Sequence, residues 1–378
     1  MDFGWSAEQR AAFETTLREV GAAFPAGLDP DRPHRRDEWL RLGKLGLLGL
    51  CVPTRYGGAG LGAVDSALRV EALGRACADT GLVFSANAHL FACAVPVAEF
   101  TGEEVRRRML PGMCTGELIA ANAMTEDDAG SDVSRLATTA TEVPGGYLLN
   151  GEKSFVTNGP IADVYVAYAT TDPRAGHFGV TGLVVERNTP GVTVGKPFHK
   201  MGLLSAQAGR VHFTDCFVPA ANLLGEPGQG AVVFQHSMRW ERSCLFAGYL
   251  GLLDRLVDRC VEHARSRRQF GRRIGEFQAV ANRIVDMKLR ADAGRLLLYR
   301  ACWELDQGRP SEVSIALAKI AISEGAAASA MEAVQIFGGL GYLREHGIET
   351  LLRDTVPSTI FSGSSDIQRN LVAAGLGL

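Results

Sequence analysis

Apolar positions recur every three to four residues along the first part of the chain, and that period predicts a run of amphipathic helices. The first opens with a capping box, Ser6 with Gln9, and carries Phe13, Leu17 and Val20 on one face. Residues 36 to 50 and 65 to 80 show the same spacing, separated by the turn-rich PTRYGGAGLG. From Thr80 to Phe100 the chain is almost uncharged, which predicts a helix buried on most sides, with His89 as a core or pocket residue. Near Leu118 the period changes to two. Tyr147 to Asn150 and Gly151 to Phe155 read as two strands joined by an Asn-Gly hairpin turn. Further strands are expected at 162–170, 181–186, 192–196 and 210–217, and short strands without intervening helices predict an antiparallel sandwich or barrel. From Gln229 the helical period returns, over about 230–264, 276–306, 311–337 and 365–375, the last opening with a capping box of Ser365 and Gln368. The expected fold class is therefore α+β: an N-terminal α-helical domain (1–118), a central antiparallel β domain (119–226) and a C-terminal four-helix-bundle domain (227–378).

One stretch stands out for its chemistry. Phe234 to Gln278 reads as one long helix with Glu241 near its start and the basic, glycine-containing RRQFGRRIGEFQ at its far end. At about 100° per residue, Glu241 points the same way as Met238, Cys244, Leu245 and Gly248, and no Lys or Arg stands three or four residues away to pair with it. A carboxylate on an apolar face is costly to bury, has a raised pKa and is a candidate proton acceptor. Taken alone, it reads first as a Glu at the rim of a core helix.

Composition narrows the function classes. The 378 residues allow two or three domains or one layered enzyme, and the formal net charge of -3, with both signs interspersed, argues against nucleic acid or an anionic membrane as partner. The start, MDFGWSAEQR, has no basic segment followed by an apolar core, and no apolar run approaches the roughly 20 residues needed to span a bilayer, so a cytoplasmic location is expected. The eight cysteines are scattered, with no CxxC and no His at ligand spacing; reduced buried thiols are expected and a metal site is not.

Three further stretches bear on function: Thr125 to Asp132 (TEDDAGSD), Phe155 to Gly159 (FVTNG), and Gln335 to Tyr342 (QIFGGLGY) with Ile360 to Gln368. The first is either a plain turn or a cradle of amides and hydroxyls for a cofactor. GGLG ends a helix and is no strand-to-helix dinucleotide fingerprint. In this order, with RRQFGRRIGEFQ, Arg353-Asp354 and FSGSSDIQ, and across essentially the whole chain, these motifs resemble the acyl-CoA dehydrogenase family. The resemblance implies FAD held between the β domain and the C-terminal bundle, and a homotetramer built from dimers. It places Met124, Thr125 and Ser131 along the flavin and the thioester end of the substrate, with Ser131 touching both, and Phe155 and Thr157 beside the isoalloxazine. Phe155 stands where many relatives have Trp. Arg267, Gln269, Phe270 and Gln278 match the segment that reaches the neighbouring subunit's FAD, with Arg267 suited to the pyrophosphate. Its alternative, with Arg268, is a solvated basic helix end. Gln335, Gly338, Gly339, Ser364 and Asp366 match the far side of the cofactor site.

The chain departs from the family at Ser362, where most fatty-acyl members have the catalytic Glu, and a hydroxyl is no base of suitable strength at neutral pH. Glu241 matches the position from which a smaller set of relatives, such as isovaleryl-CoA dehydrogenases, supply the base. The resemblance further implies that the Ser362 backbone N–H helps hold the thioester carbonyl and that Arg242 orients substrate, the alternative for Arg242 being a core-edge salt bridge. MRWER, HLFACAVP, YRACWELDQG and FSGSSDIQRN resemble most the branch acting on acyl groups tethered to carrier proteins in secondary metabolism, with a prolyl thioester on phosphopantetheine as the nearest match. Pantetheine is common to CoA and carrier proteins, so a short or branched acyl-CoA stays open, as do a flavin-dependent oxidase or monooxygenase and a scaffold without cofactor. The acyl group, the electron acceptor and the number of two-electron oxidations stay open too.

Overall fold

The computed structural model describes residues 4–24, 32–33 and 35–378. Helix α1 (Ala7–Ala23) starts as its sequence dictates: the Gln9 amide donates to the Ser6 hydroxyl, 3.1 Å, and the Ser6 amide to the Gln9 side chain, 3.1 Å. Phe13 and Val20 turn inward. Helix α2 (Arg36–Lys44) ends before residue 50, because Gly46 at φ 69° turns the chain out of the helix. Helix α3 (Ala63–Ala76) follows, then α4 (Thr80–His89), a π-helical turn (Leu90–Ala94) and α5 (Val95–Phe100). His89 is a satisfied core residue, its ring bonded to Met113 O (3.1 Å) and Ala120 N (2.9 Å). Helix α6 (Glu103–Thr115), with Pro111 inside it, completes the N-terminal helices.

The expectation about apolar length needs correction. Thr80–Phe100 and the later Glu312–Phe337 are both long and apolar enough to cross a membrane by length and composition. They are inner helices of this fold: 94% and 61% of their most apolar stretches are buried within it.

The β region forms one mostly antiparallel eight-stranded sheet of β1 (Ala120–Ala123), β2 (Thr139–Val143), β3 (Gly146–Thr157), β4 (Val164–Thr170), β5 (Val180–Glu186), β6 (Val192–Val194), β7 (Ala208–Pro219) and β8 (Leu223–Leu224). Its path runs β6-β7-β3-β2-β4-β5-β8, while β1 joins β4 in parallel. The Asn150-Gly151 hairpin is a misreading: β3 continues through it, and the hairpin turn lies at Pro144-Gly145 between β2 and β3. Gly151 sits at a register shift against β7, with φ 146° and Thr138 Cα 2.7 Å from where a Cβ would stand, so the pair encodes a bulge. Strand alternation on β4 then matters for function. Val164, Val166 and Tyr168 face the helical core, while Tyr165, Ala167 and Ala169 face the sheet's own cluster.

The long stretch after the sheet is two helices, not one unbroken element reaching Gln278. Helix α7 (Gly230–Trp240) runs through a second π-helical turn (Glu241–Leu245) into α8 (Ala247–Ser266), which stops at a two-stranded hairpin, β9 (Arg268–Gln269) with β10 (Arg272–Arg273). Phe270 (φ 51°) and Gly271 (φ 79°) form its tip, the two consecutive positive φ values of a tight hairpin. Helix α8 lies close on α3 because both carry glycine there: a Cβ on Gly251 would stand 2.2 Å from Glu71 O, and one on Gly74 2.1 Å from Gly248 O. Helices α9 (Gln278–Asp306), α10 (Glu312–Phe337), α11 (Gly339–Tyr342), α12 (Ile348–Thr355) and α13 (Ser365–Gly375) complete the chain. The cap of α13 also differs from expectation. Ser364 is the N-cap, accepting from Ile367 N at 3.3 Å, and Gln368 turns inward instead of closing a capping box.

Candidate functional site

The two π-helical turns pack against one another, and each widens its helix where a side chain must be presented. The second presents Glu241. Met238, Cys244, Leu245 and Gly248 on its face are all buried, and Glu241 itself is 7% exposed. The Ser362 hydroxyl donates to Glu241 Oε1. Ser362 is one of six non-glycine residues with positive φ among the described residues, at 57°. Its carbonyl accepts from Arg242 Nε at 2.8 Å and Gln368 Nε2 at 3.4 Å. Phe361 wedges beside it against Phe84, Phe246 and Tyr249, at ring distances of 4.5, 5.6 and 6.2 Å.

Electrostatics follow from burial. Desolvation pushes the Glu241 carboxyl above the usual carboxylate range, opposed by the Ser362 hydrogen bond and the Arg242 charge. Cys93, from the facing π turn, is pushed well up by burial and by Glu241. Burial likewise raises the Tyr168 hydroxyl, with Cys93 and Glu241 adding to it and Ser237 opposing. Arg242 is pulled down by burial and held up by Glu312 and Glu241. The arrangement is a carboxylate in an apolar pocket, steadied by one hydroxyl and one buried cation, which is suited to taking a proton.

A second group forms where the sheet meets the loop after β1. Glu126 receives the buried Lys153 ammonium at 2.7 Å and the amides of Ala137 (2.6 Å) and Thr138 (3.0 Å). Burial raises the Glu126 carboxyl, and Lys153 with these donors outweighs it, so the net position is lowered. Lys153 is pushed down to about 8 by burial against the pull of Glu126. Lys153 also bonds Met124 O at 3.1 Å, and Ser154 N bonds Thr125 O at 2.8 Å, so Met124 and Thr125 lie against β3 beside Phe155 and Thr157. Arg210 ties Asp127 to the same patch at 2.7 Å. Ser131 is exposed on this loop. Phe155 is 66% exposed at φ 54°, its ring 5.2 Å from Phe198. Beyond Phe198 lies a cavity lined by Pro33, Lys196, His199, Lys200 and Gln207. This loop lies outside the segments expected to bear on function; its alternation of basic and aromatic residues, KPFHK, is the signal that marks it.

The third group sits apart. Arg267, Gln269, Phe270 and Gln278 are exposed on and beside the β9–β10 hairpin, with Phe270 at 93%. Gln335, Gly338 and Gly339 are exposed at the end of α10. The His263 and Phe337 rings stack at 4.1 Å and bring these two segments together. Among the described residues no hydrogen bond links this group to Glu241 or Phe155. Asp366 is exposed in the first turn of α13, and Ser364 is committed to capping that helix.

The residues fit a flat aromatic cofactor. An aromatic side chain with positive φ is a strained, sparsely populated state, and here Phe155 and Phe270 both adopt it while leaving their rings exposed. At Gly338 and Gly339 nothing lies within 4 Å of where a Cβ would stand, leaving the backbone open to close approach.

Comparison with known proteins accounts for the whole length. Residues 7–117, 121–216 and 228–377 match the N-terminal, middle and C-terminal domain families of acyl-CoA dehydrogenase. The chain is 50% identical, over 100% of both chains, to an L-prolyl-[peptidyl-carrier protein] dehydrogenase of Pseudomonas fluorescens. A solved structure of PigA with FAD and proline superposes with a TM-score of 0.97 at 42% identity over 100% of both chains. The prolyl acyl carrier protein oxidase AnaB superposes with a TM-score of 0.97 at 39% identity, over 99% of this chain and 100% of that one.

Proposed function

This chain belongs to the acyl-CoA dehydrogenase family, and from that premise we propose that it carries out FAD-dependent α,β-dehydrogenation of a prolyl thioester on a peptidyl carrier protein, with Glu241 as the base. The observation that carries the assignment of the base is the contact between Glu241 and Ser362. The family's two carboxylate positions meet in one pocket, and only Glu241 is acidic.

Each residue then has a task. Glu241 takes the α-proton, its burial keeping it basic enough to compete for a weak carbon acid. The Ser362 amide and the buried Arg242 hold the thioester end, the carbonyl oxygen being where negative charge develops. Met124, Thr125, Ser131, Phe155 and Thr157 hold the flavin half of FAD, and Ser131 also lines the thioester end of the substrate. Arg267, Gln269, Phe270 and Gln278 reach the cofactor of a second copy, which accounts for an exposed group with no tie to its own chain's pocket. Gln335, Gly338, Gly339, Ser364 and Asp366 complete the far side. FAD, when bound, supplies the two-electron acceptor for the hydrogen leaving the β-carbon.

Assembly as a homotetramer has its own support. Val285, Leu289, Leu296 and Trp303 repeat at helical spacing on the exposed face of α9, a stripe that water covers poorly. The setting that fits a carrier-bound substrate is cytoplasmic secondary metabolism. A second reading concerns the electron acceptor: the similarity to AnaB, an oxidase, makes molecular oxygen the alternative to a protein acceptor.

The test is anaerobic. The flavin-loaded protein is mixed separately with prolyl-loaded carrier protein, prolyl-CoA and branched short-chain acyl-CoA, and loss of oxidised-flavin absorbance is followed. Bleaching by the prolyl carrier alone supports the reading, and bleaching by an acyl-CoA instead moves the enzyme to acyl-CoA oxidation.

A further inference from the structure

We infer that Ser362 is a positioning residue for Glu241, its side-chain hydroxyl fixing which oxygen of the carboxylate faces the substrate. This rests on Glu241 being the base.

The hydroxyl donates to Oε1, and among the described residues no hydrogen bond engages Oε2. The turn that delivers it is over-determined. Ser362 and Gly363 take consecutive positive φ values, 57° and 88°, immediately before the Ser364 N-cap. Gln368 Nε2 reaches both carbonyls, 3.4 Å from Ser362 O and 3.2 Å from Gly363 O, and Arg242 Nε adds its bond at 2.8 Å. Gly363 at φ 88° takes left-handed backbone that favours glycine, and a Cβ there would stand 2.6 Å from that Gln368 nitrogen and displace it. Left-handed backbone at a serine persists only where its surroundings hold it. Three hydrogen bonds from two side chains and a cap hold it here, with its hydroxyl aimed at the base.

The chemistry accounts for the residue type. A second carboxylate at this point would touch Glu241, and two adjacent carboxyls do not both ionise. A hydroxyl donates without adding charge and favours the ionised, proton-accepting form. Cys93 and Tyr168 are raised far into the alkaline range by burial, and Arg242, Lys319 and Glu312 form the charged surroundings on the α10 side.

The test uses the FAD-loaded enzyme and prolyl carrier protein, with Ser362→Ala, Ser362→Gly and Ser362→Thr. Glycine suits the left-handed backbone and guards against loss of the turn. In both Ala and Gly variants the acid limb of the kcat/KM profile moves toward alkaline pH by about one unit, the scale of one hydrogen bond to a carboxylate. Activity falls roughly tenfold below the limb and little above it, and Ser362→Thr restores the profile. Infrared titration of the Glu241 carboxyl, assigned by subtracting Glu241→Gln, moves in the same sense. An unmoved limb and an unmoved carboxyl band in both variants overturn the inference. Full activity in Glu241→Gln overturns the assignment of the base instead, while the infrared shift still reads the contact.

Discussion

Arg242 Nε donates to the carbonyl oxygen of Ser362 at 2.8 Å, so the residue following Glu241 holds the backbone of the residue that touches Glu241. A helix interior and a loop 121 residues downstream are thereby locked into one unit. Base, cation and hydroxyl are therefore expected to respond together when any one is changed.

Arg242→Ala removes a buried cation and leaves the Ser362 carbonyl with Gln368 as its remaining partner. We expect at least a tenfold loss in kcat/KM and a lower melting temperature, with a destabilisation of about 3 kcal/mol for breaking a buried charged contact. Arg242→Lys recovers stability more than activity, since an ammonium does not reproduce the planar guanidinium. Parallel kinetics and thermal denaturation check both.

Because positions 241 and 362 meet, a carboxylate can be moved between them. Ser362→Glu in the Glu241→Gln background is expected to restore measurable turnover. Ser362→Glu alone is expected to raise the pH needed for activity, because two touching carboxyls share a proton. pH–rate profiles of the single and double variants distinguish the outcomes.

Lys153 and Glu126 anchor the loop that carries Met124, Thr125 and Ser131. Lys153→Met strands a buried carboxylate and is expected to cost about 3 kcal/mol of stability and to weaken FAD retention. Denaturant unfolding with and without added FAD, and cofactor content after gel filtration, measure both effects.

Asp354 gives a pH signature. Burial, the Leu203 amide and the nearby Asp79 set its carboxyl, with burial largest and raising it from 3.8 to about 6. The folded state holds this proton more tightly than the unfolded chain. Its contribution is therefore fully present below about pH 3.8 and is lost as pH rises through about 6, of the order of 3 kcal/mol. Asp354→Asn should fall behind wild type in acid and gain on it between pH 4 and 7, as read by denaturant midpoints.

On the proposed tetramer, Trp303→Glu on the exposed stripe of α9 is expected to shift the protein toward smaller species without unfolding the chain, as read by sedimentation and circular dichroism.

Period made much of this molecule legible. The change from 3.6 to 2 and back located the sheet between two helical regions, and helices 278–306, 312–337 and 365–375 begin and end close to their sequence signals. The apolar face of Glu241 was readable because it is local. What was missed depends on distant partners. Asn150-Gly151 is a bulge because Asn150 pairs with Asp215 and Gly151 meets Thr138, residues remote in sequence. Gln368 turns inward because two carbonyls in the preceding turn need a donor. The π turns at Leu90 and Glu241 carry no local marker, and they face each other across 150 residues of chain. The contact of Ser362 with Glu241 belongs to the same class, since only the folded chain joins a loop to that helix.

The most direct test of the account is the anaerobic single-turnover rate of flavin reduction by prolyl-loaded carrier protein in wild type and Glu241→Gln, with matched FAD content. A fall of about 10²–10⁴-fold, the range of a positioned base, is the expected result. A Glu241→Gln rate within a few fold of wild type would contradict it and place proton removal on another group.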